Sequence, residues 1–362
     1  ANVVSEDREA EVLDVLSGMG IQPRAAFGES NNKLMTTLRK DSDASYLYVY
    51  NYQYSDTEDY AENDGASFAT TISVEGEYKP YAINTWSGEV TAVADYSIED
   101  GRTVIYADVA GGDVALYALD PEAEETLHAV STEGVKETVY DADGNVVLRV
   151  AESGDVTAQL SDGTTYAATV EAPEDISLDS WKLVVESWTK GDLDVRTETK
   201  EGKDYTSTEV TYLTNKTDID AGEITALVSW SEIEAVGNGV SGVGTYTTTF
   251  TLADDWSADA NAAYFSVDSF CGGTAQLTVN GENAHLDMES GAADITDYVQ
   301  AGENTLEVRV TSTLWNALIT EGLAKTYSGS DADGNEVEPT STDYGMVGEA
   351  KIVLCAVVKA NE

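Results

Sequence analysis

Hydrolysing a sugar bond takes two carboxylates about 5–10 Å apart, and this chain has carboxylates to spare: 67 Asp and Glu among 362 residues. With so many acids any pair can be nominated, and none stands in a recognisable catalytic context. The two histidines, His128 and His285, are isolated from each other in sequence. A solitary His near a turn is more often filler than a general base. The G-x-S-x-G elbow and the P-loop are missing from the sequence. No catalytic residue is assigned to this chain.

Metal chemistry has two sequence candidates. "DADGN" occurs at 141–145 and again at 331–335, so Asp141, Asp143, Asn145, Asp331, Asp333 and Asn335 could offer alternating oxygens to Ca²⁺. The EF-hand pattern needs further ligands and a distal Glu, which neither copy has. Between strands, DG and GN pairs make ordinary tight turns, and turns are the preferred reading. The two cysteines, Cys271 and Cys355, lie in apolar strand-like runs without a CxxC or Cys/His cluster. Zinc is therefore not expected. Two free thiols are preferred over a disulfide, though both readings stay open.

Sugar binding without catalysis needs exposed aromatic faces with amides or acids beside them. The candidates are Trp315 with Asn316, Trp256, Trp86 in "NTWSGE", and Tyr344. Packing competes with ligand contact at each of them. Trp181, Trp188 and Trp230 suit packing better, because they sit in the lead strand or an apolar approach to one.

The elements that must position these residues are strands. From Leu34 onward apolar residues alternate with polar ones, as in "SYLYVYNYQY" and "SFATTISVEG", broken by Gly-containing turns such as "SGE", "EDGR" and "GGD". Only five prolines interrupt the pattern. In "GTYTTTFTL" Tyr246, Thr248 and Phe250 fall on one face and Thr247, Thr249 and Thr251 on the other. Asn280-Gly281 predicts a type I′ hairpin turn. Leu306, Val308 and Val310 share one strand face, and Gly242 and Gly244 are read as a bend at a sandwich corner. One helix is expected, over 5–17, with Ser5 as N-cap and Gly18 as its stop. The divisions read as a helical lead-in over 1–29, a β-sandwich over 30–121, a hairpin extension or bridging sheet over 122–171, and a last β-domain over 172–362. Within that last domain "TKGDLDVRTETKEGKDYTSTEV" reads as a charged hairpin or loop insertion.

Net charge narrows the partners. Nineteen bases against 67 acids leave a formal charge of −48, which repels nucleic acid phosphates and anionic lipid. No apolar run approaches the ~20 residues of a membrane-spanning helix, so neither nucleic acid nor membrane insertion is expected. The opening "ANVVSEDREAEV" has neither an initiator Met nor a signal-type apolar core, and reads as a piece of something larger.

An ordered set of stretches in the second half carries a resemblance. Trp230, "SGVGTYTTTFTL", "LTVNGE", "DITDYVQAGENTLEVRVTSTLWNAL" and "YGMVGEAKIVL" together resemble the galactose-binding-like jelly roll of large secreted glycoside hydrolases, the α-L-rhamnosidase-like enzymes above all. Upstream, "YLYVYNY", "YKPYAINTWSGEV" and "DGRTVIYADVAGGDVALYAL" are more loosely similar to the sandwich that precedes that jelly roll. The resemblance implies an all-β fold of tandem antiparallel β-sandwiches, the last a galactose-binding-like jelly roll. In those enzymes the catalytic acids sit on an upstream (β/α)₈ barrel, and no barrel-like alternation occurs here. The implied role is a non-catalytic accessory region, secreted or at the cell surface, that supports an upstream catalytic domain and contacts glycan. No organic cofactor is implied, and a structural Ca²⁺ in the loops is compatible with the family. A free-standing carbohydrate-binding or adhesin-like surface protein is the alternative, and an enzyme in its own right ranks last.

Overall fold

A computed structural model describes residues 12–29, 31, 33–52, 67–124, 126–199, 206–324 and 338–360. The chain divides into two compact units. Unit 1 holds residues 1–150, 154–170 and 358–362, and unit 2 holds 151–153 and 171–357. The main division falls at Val170–Glu171, so the extension foreseen over 122–171 belongs almost wholly to unit 1. Both units are built from antiparallel strands, and the all-β class holds.

Unit 1 opens with a short helix, α1 (Val12–Gly18); the expected cap Ser5 lies outside the described residues. Its strands are β1 (Ala25–Phe27), β2 (Leu34–Lys40), β3 (Ser45–Asn51), β4 (Phe68–Glu75), β5 (Lys79–Ile83), β6 (Val90–Ala92), β7 (Tyr96–Glu99) and β8 (Arg102–Val109). They continue with β9 (Val114–Asp120), β10 (Ala129–Glu133), β11 (Glu137–Tyr140), β12 (Val146–Val150), β13 (Gly154–Leu160) and β14 (Thr165–Val170). Sheet β1-β4-β8-β7 packs on sheet β2-β3-β9-β5-β6. Alternation explains the core: Leu47 and Val49 from β3 and Leu119 from β9 meet Ile72 and Val74 from β4 and Ile105 from β8, all fully buried. Beyond this sandwich come the three-stranded sheet β10-β13-β14 and the β11–β12 hairpin. A parallel bridge between Asp95 and Ala129 ties the start of β7 to the start of β10.

Unit 2 contains β15 (Ile176–Ser177), β16 (Trp181–Thr199), β17 (Thr206–Ile224), β18 (Gly242–Leu252), β19 (Asn261–Cys271) and β20 (Thr274–Val279). After them come β21 (Glu282–Ala284), β22 (Ala292–Asp294), β23 (Gly302–Thr311), helix α2 (Trp315–Thr320) and β24 (Gly345–Lys359). The six-stranded sheet β17-β16-β18-β23-β20-β21 faces β24, β19, β22 and β15 across a core that includes Trp181, Tyr246, Phe265, Leu306, Val308 and Ile352. Tyr246 and Phe250 point into this core while Thr249 and Thr251 face solvent, as the alternation requires. Asn280 and Gly281 both take positive φ, 50° and 86°, the signature of the expected type I′ turn. Gly242 (φ 152°) makes the bend, whereas Gly244 serves a different purpose. A Cβ there would stand 2.5 Å from the Trp230 ring, so this glycine makes room for an aromatic.

The charged insertion forms a two-stranded ribbon, the outer parts of β16 and β17, paired out to Thr199 and Thr206. Leu193 and Val195 lie opposite Tyr212 and Val210 on one face of it, each about half exposed. Cys271 and Cys355 are not joined in a disulfide. Cys271 lies opposite Gly345 and Cys355 opposite Ala262 on the β19–β24 pair. That register holds the thiols about 30 Å apart and rules out a bridge.

Candidate functional site

The aromatic candidates separate into three settings. Asn316, on the first turn of α2, is only 3 % exposed. Its amide pairs with one residue as a neighbouring strand would: Nδ2 donates to Thr342 O (2.8 Å) and Oδ1 accepts from Thr342 N (2.9 Å). Tyr344 is 2 % exposed and its hydroxyl bonds the Thr313 hydroxyl. Burial leaves neither residue a face for a sugar ring. Trp315 is half-buried, its indole donating to Thr340 O at 2.8 Å, and Trp256 is packed against the unit 2 core. At the heart of this cluster Trp230 donates to the Tyr246 hydroxyl (2.8 Å), which also accepts from Met346 N (3.2 Å). The network is closed and structural.

Trp188 sits at the base of the ribbon rather than in the core. Its indole donates to Glu186 at 2.7 Å and the Lys216 ammonium lies 5.1 Å from its ring centre. His128 is buried, stacked on Tyr96 with ring centres 3.8 Å apart, and pairs through Nδ1 with Thr126 O at 2.9 Å.

The first DADGN segment is a turn. Asp141 Oδ1 accepts from the backbone N–H of Asp143 and Asn145 at 3.0 and 2.8 Å. Oδ2 accepts from the Asn145 amide and pairs with the Lys359 ammonium at 3.1 Å. The Asn145 bonds foremost, with the Lys359 charge added, hold this carboxyl well below the ordinary range. Asp331, Asp333 and Asn335 lie outside the described residues.

Trp86 alone among the candidates is largely open, at 54 % exposure. It rides on the β5–β6 turn, where Asn84 Oδ1 accepts from the N–H of Trp86 and Ser87 at 2.9 and 3.0 Å. Asn84 and Glu89 of this turn line a cleft in unit 1 that sequence reading passed over. The cleft has two lobes, of about 490 and 510 Å³, and Asp95, Tyr106, Lys136, Glu137 and Thr138 line both. Three elements supply them: Asp95 precedes β7, Tyr106 lies on β8, Lys136 leads into β11, and Glu137 and Thr138 open it.

The electrostatics here are unlike those of the surface. Burial pushes the Asp95 carboxyl up to about 6, against a lowering bond from its own backbone, and the Glu137 charge adds to the rise. Burial likewise drives Tyr117 up to about 12, with Asp95 contributing. Tyr106 is raised by desolvation, then by Asp108 and Asp95. Glu137 is braced across the β11–β12 hairpin by Arg149 at 2.9 Å. Thr138 is 8 % exposed, and its hydroxyl is buried with no hydrogen-bond partner. Sequence held one signal for this cleft, the aromatic turn at Trp86. The acids that line it were hidden among 67.

No protein-family model and no curated protein matches the chain. Solved structures do. A rhamnosidase from Novosphingobium sp. PP1Y superposes over 97 % of this chain with a TM-score of 0.53 at 16 % identity. A β-D-glucuronidase from Dictyoglomus thermophilum covers 52 % of the chain and 29 % of its own length (TM-score 0.28, 16 % identity). An α-L-rhamnosidase from Aspergillus terreus covers 92 % and 27 % (TM-score 0.19, 11 % identity). The chain thus shares its tandem β-sandwich fold with a part of the Novosphingobium enzyme, of which it spans about a quarter, 26 %. Among the described residues no helix is long and apolar enough to cross a membrane.

Proposed function

We propose that this chain is the non-catalytic accessory region of a larger secreted glycoside hydrolase, supporting a catalytic domain elsewhere in that protein and contacting glycan. Unit 2 is its galactose-binding-like jelly roll. One observation carries the reading: both sandwiches together, over 97 % of the chain, follow a stretch that makes up only 26 % of a rhamnosidase. A region that fills a quarter of an enzyme leaves room for a separate catalytic domain. The cleft acids do not argue for hydrolysis within this chain. Asp95 is raised as a general acid would be, but its neighbour Glu137 is bound to Arg149, which suits a fixed hydrogen-bond acceptor better than a nucleophile.

Assay of the 362-residue protein with aryl α-L-rhamnoside, β-D-galactoside and β-D-glucuronide is expected to give no turnover above buffer. The coding sequence around the segment is expected to continue upstream into a (β/α)₈ catalytic domain. Turnover by this chain alone that disappears in Asp95→Asn would sink the proposal. An intact gene encoding these sandwiches and no catalytic domain would instead favour the free-standing surface protein, for which open Trp86 is the supporting observation.

A further inference from the structure

The unit 1 cleft has a property that packing alone does not explain. A buried hydroxyl without a partner costs about 1–3 kcal/mol, and native interiors rarely tolerate one without a use for it. Thr138 is such a residue, and it lies where the two lobes meet. Each lobe falls in the ~300–1,000 Å³ range of small-ligand sites.

We propose that this cleft binds a neutral sugar, one or two rings of a glycan chain, with the Thr138 hydroxyl and the Asp95 and Glu137 carboxyl groups as its polar contacts. A sugar hydroxyl both donates and accepts, so one ring can satisfy Thr138 and the carboxylates together. Tyr106, 55 % exposed and lining both lobes, supplies an aromatic face for the apolar side of the ring. Anions are disfavoured: Glu89, Asp95 and Glu137 face the cleft against the one cation Lys136 among its lining residues, within a chain of formal charge −48. A uronate, sulfate or phosphate group would meet more carboxylates than cations there. Choosing a sugar over another neutral polyol rests on the glycoside hydrolase reading above; the orphan hydroxyl and the exclusion of anions stand without it.

The test uses the whole 362-residue protein and ligand-observed NMR with rhamnose, galactose, mannose and glucose as neutral probes and glucuronate as the anionic one. At least one neutral sugar is expected to bind with a dissociation constant of about 1–10 mM, and glucuronate about tenfold more weakly or not at all. Thr138→Val discriminates a site from a packing accident, because it keeps the shape and deletes the orphan hydroxyl. At a site, affinity falls about fivefold or more while Tm holds or rises. Tyr106→Ala is expected to weaken binding by a similar factor. The proposal is overturned if no neutral sugar binds by about 50 mM, if glucuronate binds best, or if Thr138→Val raises Tm and leaves affinity untouched. Turnover is scored separately. Absent binding with absent turnover removes the sugar site and leaves the accessory role standing, whereas turnover removes the accessory role.

Discussion

Each unit gathers aromatic and polar side chains in one place, and the two clusters are finished differently. Around Trp230 in unit 2, the indole, the Tyr246 hydroxyl, both atoms of the Asn316 amide and the Tyr344 hydroxyl all have partners. The unit 1 cleft keeps space beside its polar groups, a hydroxyl without a partner, and a carboxyl held near neutrality by burial. A closed network of this kind rigidifies a fold. An open one holds chemistry in reserve, and stability is lost to keep it.

That contrast can be broken most directly at Trp230. Trp230→Ala opens a cavity and takes from the Tyr246 hydroxyl one of its two donors, and is expected to cost about 3–5 kcal/mol in urea unfolding; a loss under about 1 kcal/mol would mean the cluster is not a keystone. Asn316→Leu keeps the volume but strips the Thr342 backbone of both its partners, for an expected loss of about 3 kcal/mol. In unit 1 the sign reverses. The folded Asp95 pKa, about 6, lies above its ordinary 3.8, so the native state binds a proton more tightly than the unfolded chain. Its contribution is fully favourable below about pH 4 and declines as pH rises through about 6. Asp95→Asn is therefore expected to raise stability by about 2 kcal/mol at pH 8 and by little at pH 4.5. Equal effects at both pH values would show that this carboxyl titrates normally. The smallest effect belongs to the ribbon, where Val195→Thr with Val210→Thr is expected to shift stability by no more than about 0.5 kcal/mol.

The closed cluster was partly legible in sequence and the open one was not. Alternation alone placed Tyr246, Phe250, Leu306, Val308 and Val310 inside, because a sheet has a period of two and any misplacement would expose a whole face. Asn280-Gly281 declared its turn through backbone sterics. Trp230 and Trp181 announced themselves as core by size and apolar company. Asn316 and Tyr344 misled: the sequence shows an amide and an aromatic, while their burial depends on α2, a short helix following a strand, and on the approach of 340–344 to it. The cleft failed to show for a related reason. Asp95 precedes β7, Tyr106 lies on β8 and Glu137 opens β11, and no local spacing encodes their meeting. Gly244 was legible as a glycine and not as the neighbour of Trp230.

One further consequence lies in the path of the chain. Residues 358–360 count with unit 1, where the Ala360 N–H donates to Val146 O and Lys359 reaches Asp141. During synthesis the hairpin around 141–146 must therefore wait more than two hundred residues for its last partners. Such late closure slows folding, and it makes the emergence of β24, rather than completion of the first sandwich, the moment at which the N-terminal half becomes whole.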